Sequence, residues 1–169
     1  MKRLPLVLLF CASAAFAQSS NDYTLNDGDV RFSVPAEWST MMEKSDGNPQ
    51  AMVFKIPDPA AEGTEDTASI TIKTRRLKSP ADFPEAMQNE LALSRAQSGY
   101  EADALTNDSG IHHYHVMRGK TRYAIRDKFV LRGDVAVQIR CQRPLLDGTS
   151  KDWTAVYENG CDRVVASLK

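Results

Sequence analysis

Val135-Ala136-Val137-Gln138-Ile139-Arg140-Cys141 alternates apolar and polar side chains without a break. That period of two belongs to a β-strand with one face buried. Further on, Trp153, Val156, Tyr157, Cys161, Val164 and Leu168 recur at helical spacing, so they gather on one side of an amphipathic helix. Between the two lie the turn Asp147-Gly148 and the pair Thr149-Ser150. A hydroxyl there can accept from the first free backbone N–H groups of the helix. Cys141 shares its parity with Val135, Val137 and Ile139, and Cys161 lies on the apolar side of the helix. Both sulfurs therefore point into the same interior. A Cys141–Cys161 disulfide would fasten the closing helix to the sheet, and closing a loop of that length stabilises by roughly 3 kcal/mol in the chain-entropy picture.

The remaining cysteine, Cys11, falls in a segment of another kind. Lys2 and Arg3 precede a short apolar run over 4–10, and Ala15-Phe16-Ala17 follows. This is the pattern of an export signal cut after Ala17. The run is too short for a permanent membrane span. Phe10 puts a bulky residue where acylation of Cys11 would want a small one. Cleavage leaves residues 18–169, the usual size of one globular domain. Its two cysteines are an even number in a periplasmic or secreted chain, which favours a disulfide. Lys and Arg total 21 against 22 Asp and Glu. That balance argues against nucleic acid as a partner.

The rest of the chain is mostly strand. Val30, Phe32 and Val34 alternate with polar neighbours, Pro35 ends the run, and Trp38 follows. Residues 39–50 read as a polar loop anchored in the core by Met41 and Met42. Met52, Phe54 and Ile56 alternate again, as do Ala68, Ile70 and Ile72, with an acidic hairpin loop over 57–66 between them. Ser79-Pro80 opens a helix whose apolar side holds Phe83, Ala86, Met87, Leu91 and Leu93. Gly99 closes it. A short strand near 100–106 and the turn Asn107-Asp108-Ser109-Gly110 lead into a meander over 111–118, 121–131 and 135–142. Gly119-Lys120 and Arg132-Gly133-Asp134 supply its turns. The fold class is α+β: an antiparallel sheet of about six to seven strands flanked by two main helices, with one disulfide.

This order resembles the PsbP-like family. The resemblance rests on Val30-Arg31-Phe32-Ser33-Val34-Pro35 running into Trp38, on the succession of strands, helix, meander and helix, and on the close Cys161-Asp162-Arg163-Val164-Val165-Ala166-Ser167-Leu168. It covers most of residues 22–169. The family includes a photosystem extrinsic protein, a Ran-binding import factor and bacterial DcrB-like envelope proteins. The resemblance implies an antiparallel sheet between helices, no shared catalytic residues and no cofactor, and a role in binding or assisting other proteins. Secreted relatives of this size also resemble immunity proteins that neutralise toxic effectors.

Catalytic patterns are absent: the sequence has no G-x-S-x-G, H-E-x-x-H or C-x-x-C. All three histidines lie in His112-His113-Tyr114-His115. On a strand His113 and His115 project to one side, where two imidazoles are weak metal candidates that need a third ligand. Asp127 shares its parity with Tyr123, Ile125, Phe129 and Leu131, so it is either inside, accepting from Trp153 or from a helix N-terminus, or turned outward by a bulge. A metal-dependent or hydrolytic enzyme built on His113, His115 and Asp127 is the alternative to a binding protein. The partner surface expected from alternation is basic: Lys73, Arg75, Arg122, Arg126, Lys128 and Arg140 fall on outward strand positions, with Gln138 and Tyr114 among them. Gathered on one sheet face, they would dock an acidic protein or anionic head groups. The expected role is a non-enzymatic, exported, protein-binding domain, either an immunity protein or an envelope accessory factor.

Overall fold

Seven strands form one antiparallel sheet in the order β3-β4-β5-β9-β8-β7-β6 in the computed structural model, which describes residues 19–103 and 110–169. The segment 1–17 and residues Asn107, Asp108 and Ser109 of the expected turn lie outside the described residues. A separate hairpin, β1 (Ser20–Leu25) with β2 (Val30–Pro35), opens the described chain. The sheet strands are β3 (Ser39–Lys44), β4 (Gln50–Ile56), β5 (Ala68–Arg76), β6 (Glu101–Ala102), β7 (Ile111–Arg118), β8 (Thr121–Arg132) and β9 (Val135–Pro144). Helix α1 is Phe83–Arg95 and helix α2 is Lys151–Ser167. The class is α+β, as the alternation and the two helical stretches predict.

The helices take opposite sides of the sheet. On the α2 side, Met52 and Phe54 of β4, Ile70 and Ile72 of β5, and Val135, Val137, Ile139 and Cys141 of β9 are buried with Leu25, Phe32 and Trp38 from the hairpin region and Tyr157, Cys161, Val164 and Leu168 from α2. Each such side chain stabilises by about 1.5–3 kcal/mol on burial. The Cys141–Cys161 disulfide crosses this core, its Cα atoms 6.4 Å apart. Ser150 caps α2 by accepting from Trp153 N at 3.1 Å. The chain end is stitched to β2, with Lys169 N donating to Arg31 O at 2.9 Å and Arg31 N to Lys169 O at 3.1 Å. Gly160 lets α2 lie directly on the Trp38 ring. A Cβ there would sit 2.5 Å from Cζ2 and 2.9 Å from Cη2. On the α1 side a smaller cluster holds Tyr114, Val116, Tyr123 and Ile125.

Several local expectations change. Residues 39–44 are an edge strand with every side chain exposed, so no alternation marks it. Met41 and Met42 are exposed rather than anchored in the core, and Met41 occupies a bulge where the β3–β4 register shifts. The opening polar stretch is strand β1. Val156 faces solvent, so the apolar side of α2 runs through Tyr157, Cys161 and Val164 instead.

Candidate functional site

The two turns of the meander decide which side chains share a surface. Arg132 pairs with Val135 and Arg118 with Thr121, so each hairpin turns on two residues. Even-numbered positions of β8 therefore lie beside odd-numbered positions of β9. Arg126 pairs with Cys141, Lys128 with Ile139 and Asp127 with Arg140. The six expected basic residues are thus divided. Arg122, Arg126 and Lys128 lie on the α2 side; Lys73, Arg75 and Arg140 lie on the α1 side, on the neighbouring strands β5 and β9. The single basic face is corrected accordingly: alternation orders residues within a strand, and only the register joins strands.

On the α1 side the cations are tied into a polar layer beneath α1. Asp127, 0 % exposed, accepts from Arg140 Nε at 2.8 Å, Arg140 Nη2 at 2.8 Å, Tyr114 Oη at 3.0 Å and Gln138 Nε2 at 3.2 Å. Arg140 Nη2 also donates to Ser94 Oγ of α1 at 2.9 Å. Lys73 pairs with Glu90 at 2.6 Å, and Arg75 lies 3.9 Å from the same carboxylate. Burial is the strongest single influence on Arg140 and opposes its charge, but the Asp127 hydrogen bond and charge outweigh it and raise its pKa. Burial, reinforced by Asp127, raises the Tyr114 phenol too. These groups satisfy one another and hold α1 to the sheet. Trp153 takes no part, since its indole N–H donates to Pro57 O at 2.6 Å.

The α2 side differs at its far end. Helix α2 reaches β8 and stops there. Arg126 Nη1 bridges Asp162 at 2.9 Å and Glu158 at 3.2 Å on the helix. Beyond it, the side chains that β7 places on this side, Ile111, His113, His115 and Met117, are only half-buried, and Glu101 of β6 is exposed. Arg122, paired with Glu101 at 2.6 Å, and Lys128 stand on the same open end. Arg143 of β9 joins them, a residue that the expected basic set omitted although its parity matches Cys141. Three of the six expected basic residues therefore do share an open surface, with His113, His115 and Arg143 added.

The acidic loop over 57–66 lies elsewhere. Asp66 accepts from Tyr123 Oη at 3.0 Å and from Thr121 Oγ1 at 2.8 Å, which ties the loop to β8. The enzyme constellation does not assemble. His113 and His115 share one side, as expected, and it is the α2 side; Asp127 lies on the opposite side, paired across the strands with His112. Among the described residues no three His, Cys, Asp or Glu side chains gather as a metal site.

No protein-family profile matches the sequence, and no curated protein sequence does. Solved structures do. The Ran-binding protein Mog1p of Saccharomyces cerevisiae is similar at 16 % identity and a TM-score of 0.54, over 90 % of this chain and 96 % of that one. LpqN of Mycobacterium tuberculosis, involved in cell envelope biogenesis, is similar at 12 % identity and a TM-score of 0.51, over 89 % of this chain and 90 % of that one. A protein of Bacteroides thetaiotaomicron VPI-5482 gives 14 % identity and a TM-score of 0.50 over 90 % of this chain. The chain spans 48 % of the length of that last structure.

Proposed function

On a PsbP-like, Mog1-type fold whose sheet is left open at one end of its α2 side, we propose an exported, non-enzymatic protein-binding domain of the bacterial envelope. Its docking surface is that open end: Arg122, Arg126, Lys128 and Arg143 with His113 and His115. The observation that carries the reading is the exposure pattern. On the α2 side, β6, β7 and half of β8 present side chains that no helix of the described residues covers, and cations stand among them. Cations on a half-dry surface steer and orient an acidic partner. The likeness to a Ran-binding protein and to an envelope-biogenesis protein supports binding over catalysis. Toxin neutralisation and an accessory role would use the same surface, and the likeness to LpqN favours the second. The disulfide, and the export signal read from residues 1–17, support a periplasmic or secreted location.

Capture from envelope extract with three immobilised proteins tests this. Wild type and Arg75→Glu, altered on the α1 side, should retain the same partner. Arg122→Glu/Lys128→Glu should lose it. Equal retention by all three rejects the surface.

A further inference from the structure

Two guanidinium groups at the inner edge of the open end are incompletely satisfied. Arg126 Nη2 and Arg143 Nε are both closed off from solvent and have no acceptor among the described residues. Buried donors of charged groups are among the costliest to leave unmade. Both residues line one notch of about 40 Å³, walled by His113, Ala124, Cys141, Tyr157 and Glu158. Burial and Glu158 raise the Tyr157 phenol, against the opposing pull of Arg126 and Arg143, so it stays protonated.

We propose that this notch is a carboxylate-binding site, occupied by one carboxyl group of the protein partner. The claim rests on the interface reading and names the chemistry of its anchor. Two unmatched N–H donors on neighbouring strands suit the two oxygens of a carboxylate. Directed donors rather than net charge would hold the anion, since Glu158 and Asp162 formally balance the two guanidinium groups. A phosphate dianion would meet stronger repulsion from these two carboxylates than a carboxylate monoanion does. The size agrees, since the notch admits a carboxyl group and little more. The disulfide beside it, through Cys141, holds α2 and β9 at a fixed separation and so keeps the notch open to a defined width.

The test uses the folded protein and small probes. Acetate is titrated at constant ionic strength against chloride, reading the arginine side-chain Nε–H resonances by NMR. Wild type should show a saturable shift of the Arg143 resonance with acetate and none with chloride; inorganic phosphate should bind less tightly than acetate. Arg143→Gln should weaken acetate about tenfold or more, read on the Arg126 resonance. Arg143→Lys keeps the charge but not the directed donor, and should weaken it as well. Two peptides then separate the sources: one amidated with a single Glu, one of glycines with a free C-terminus. Competition by the first marks an acidic side chain, by the second a chain terminus. No saturable acetate shift in wild type, or an equal one in Arg143→Gln, overturns the site. If partner capture still depends on Arg122 and Lys128 in that case, the interface stands and only the notch is lost.

Discussion

Asp127 shows how a residue's role is settled by its neighbours. Its parity among apolar residues leaves it either buried or turned out by a bulge; the β8–β9 register runs through it unbroken, and it is buried. Its partners come from the register instead: Arg140 lies directly across the β8–β9 pair. Removing one member of a buried ion pair leaves the other charge uncompensated. Asp127→Asn should therefore cost about 3 kcal/mol or more, read as a shift in the urea unfolding midpoint. Lys73→Gln, at a partly exposed pair, should cost under about 1 kcal/mol. His112 lies on the same side, its ring edge-on to Phe129 at 5.8 Å. Burial lowers its pKa, with Arg95, His113 and Lys128 adding to the effect and Asp127 opposing it. The unfolded chain therefore takes up this proton before the folded one does. The stability involved is present above the ordinary histidine range and is lost as pH falls through it towards the lowered folded value. Unfolding midpoints of wild type and His112→Gln compared at about pH 7.5 and about pH 5.5 should show the smaller acid loss in the variant.

At the scale of elements, what alternation shows and what it hides can be separated. Within β9 and within β8 each residue's side follows from parity, and both strands obey it. Joining the strands needs the turn length. Read as Arg132-Gly133-Asp134, the turn would put odd beside odd and collect all six cations on one face. The structure turns on Gly133-Asp134 alone, and a change of one residue moves every side chain of one strand across. Edge strand β3 left no mark in the sequence because neither of its faces is buried. The disulfide was legible because two independent patterns, strand parity and helix face, agreed on it. Its removal in Cys141→Ser/Cys161→Ser should lower stability by roughly 3 kcal/mol. The loss should appear in the denaturation midpoint of the double variant and be matched by reduction of wild type.

For the whole molecule, the layers explain where a surface is left over. α1 covers the middle of one side over a satisfied polar layer. On the other side α2 and the β1–β2 hairpin cover β4, β5 and β9 and end at Arg126. α2 is narrower than the seven-stranded sheet, so among the described residues the α2 side of β6 and β7 remains open. Alternation in the sequence puts three of the cations at that end on one face with three others that the register sends to the opposite side, and parity alone does not say how far a helix reaches. Export belongs to this scale as well. The protein recovered from an envelope fraction should begin at Gln18, which an intact mass shows. The most direct measurement of the interface is site-specific photo-crosslinking in that fraction. A crosslinkable residue at His115 or Met117 should join the chain to a second polypeptide, and the same residue at Leu93, on the solvent side of α1, should not. Crosslinks at Leu93 with none at His115 or Met117 would contradict the assignment of the open end as the docking surface.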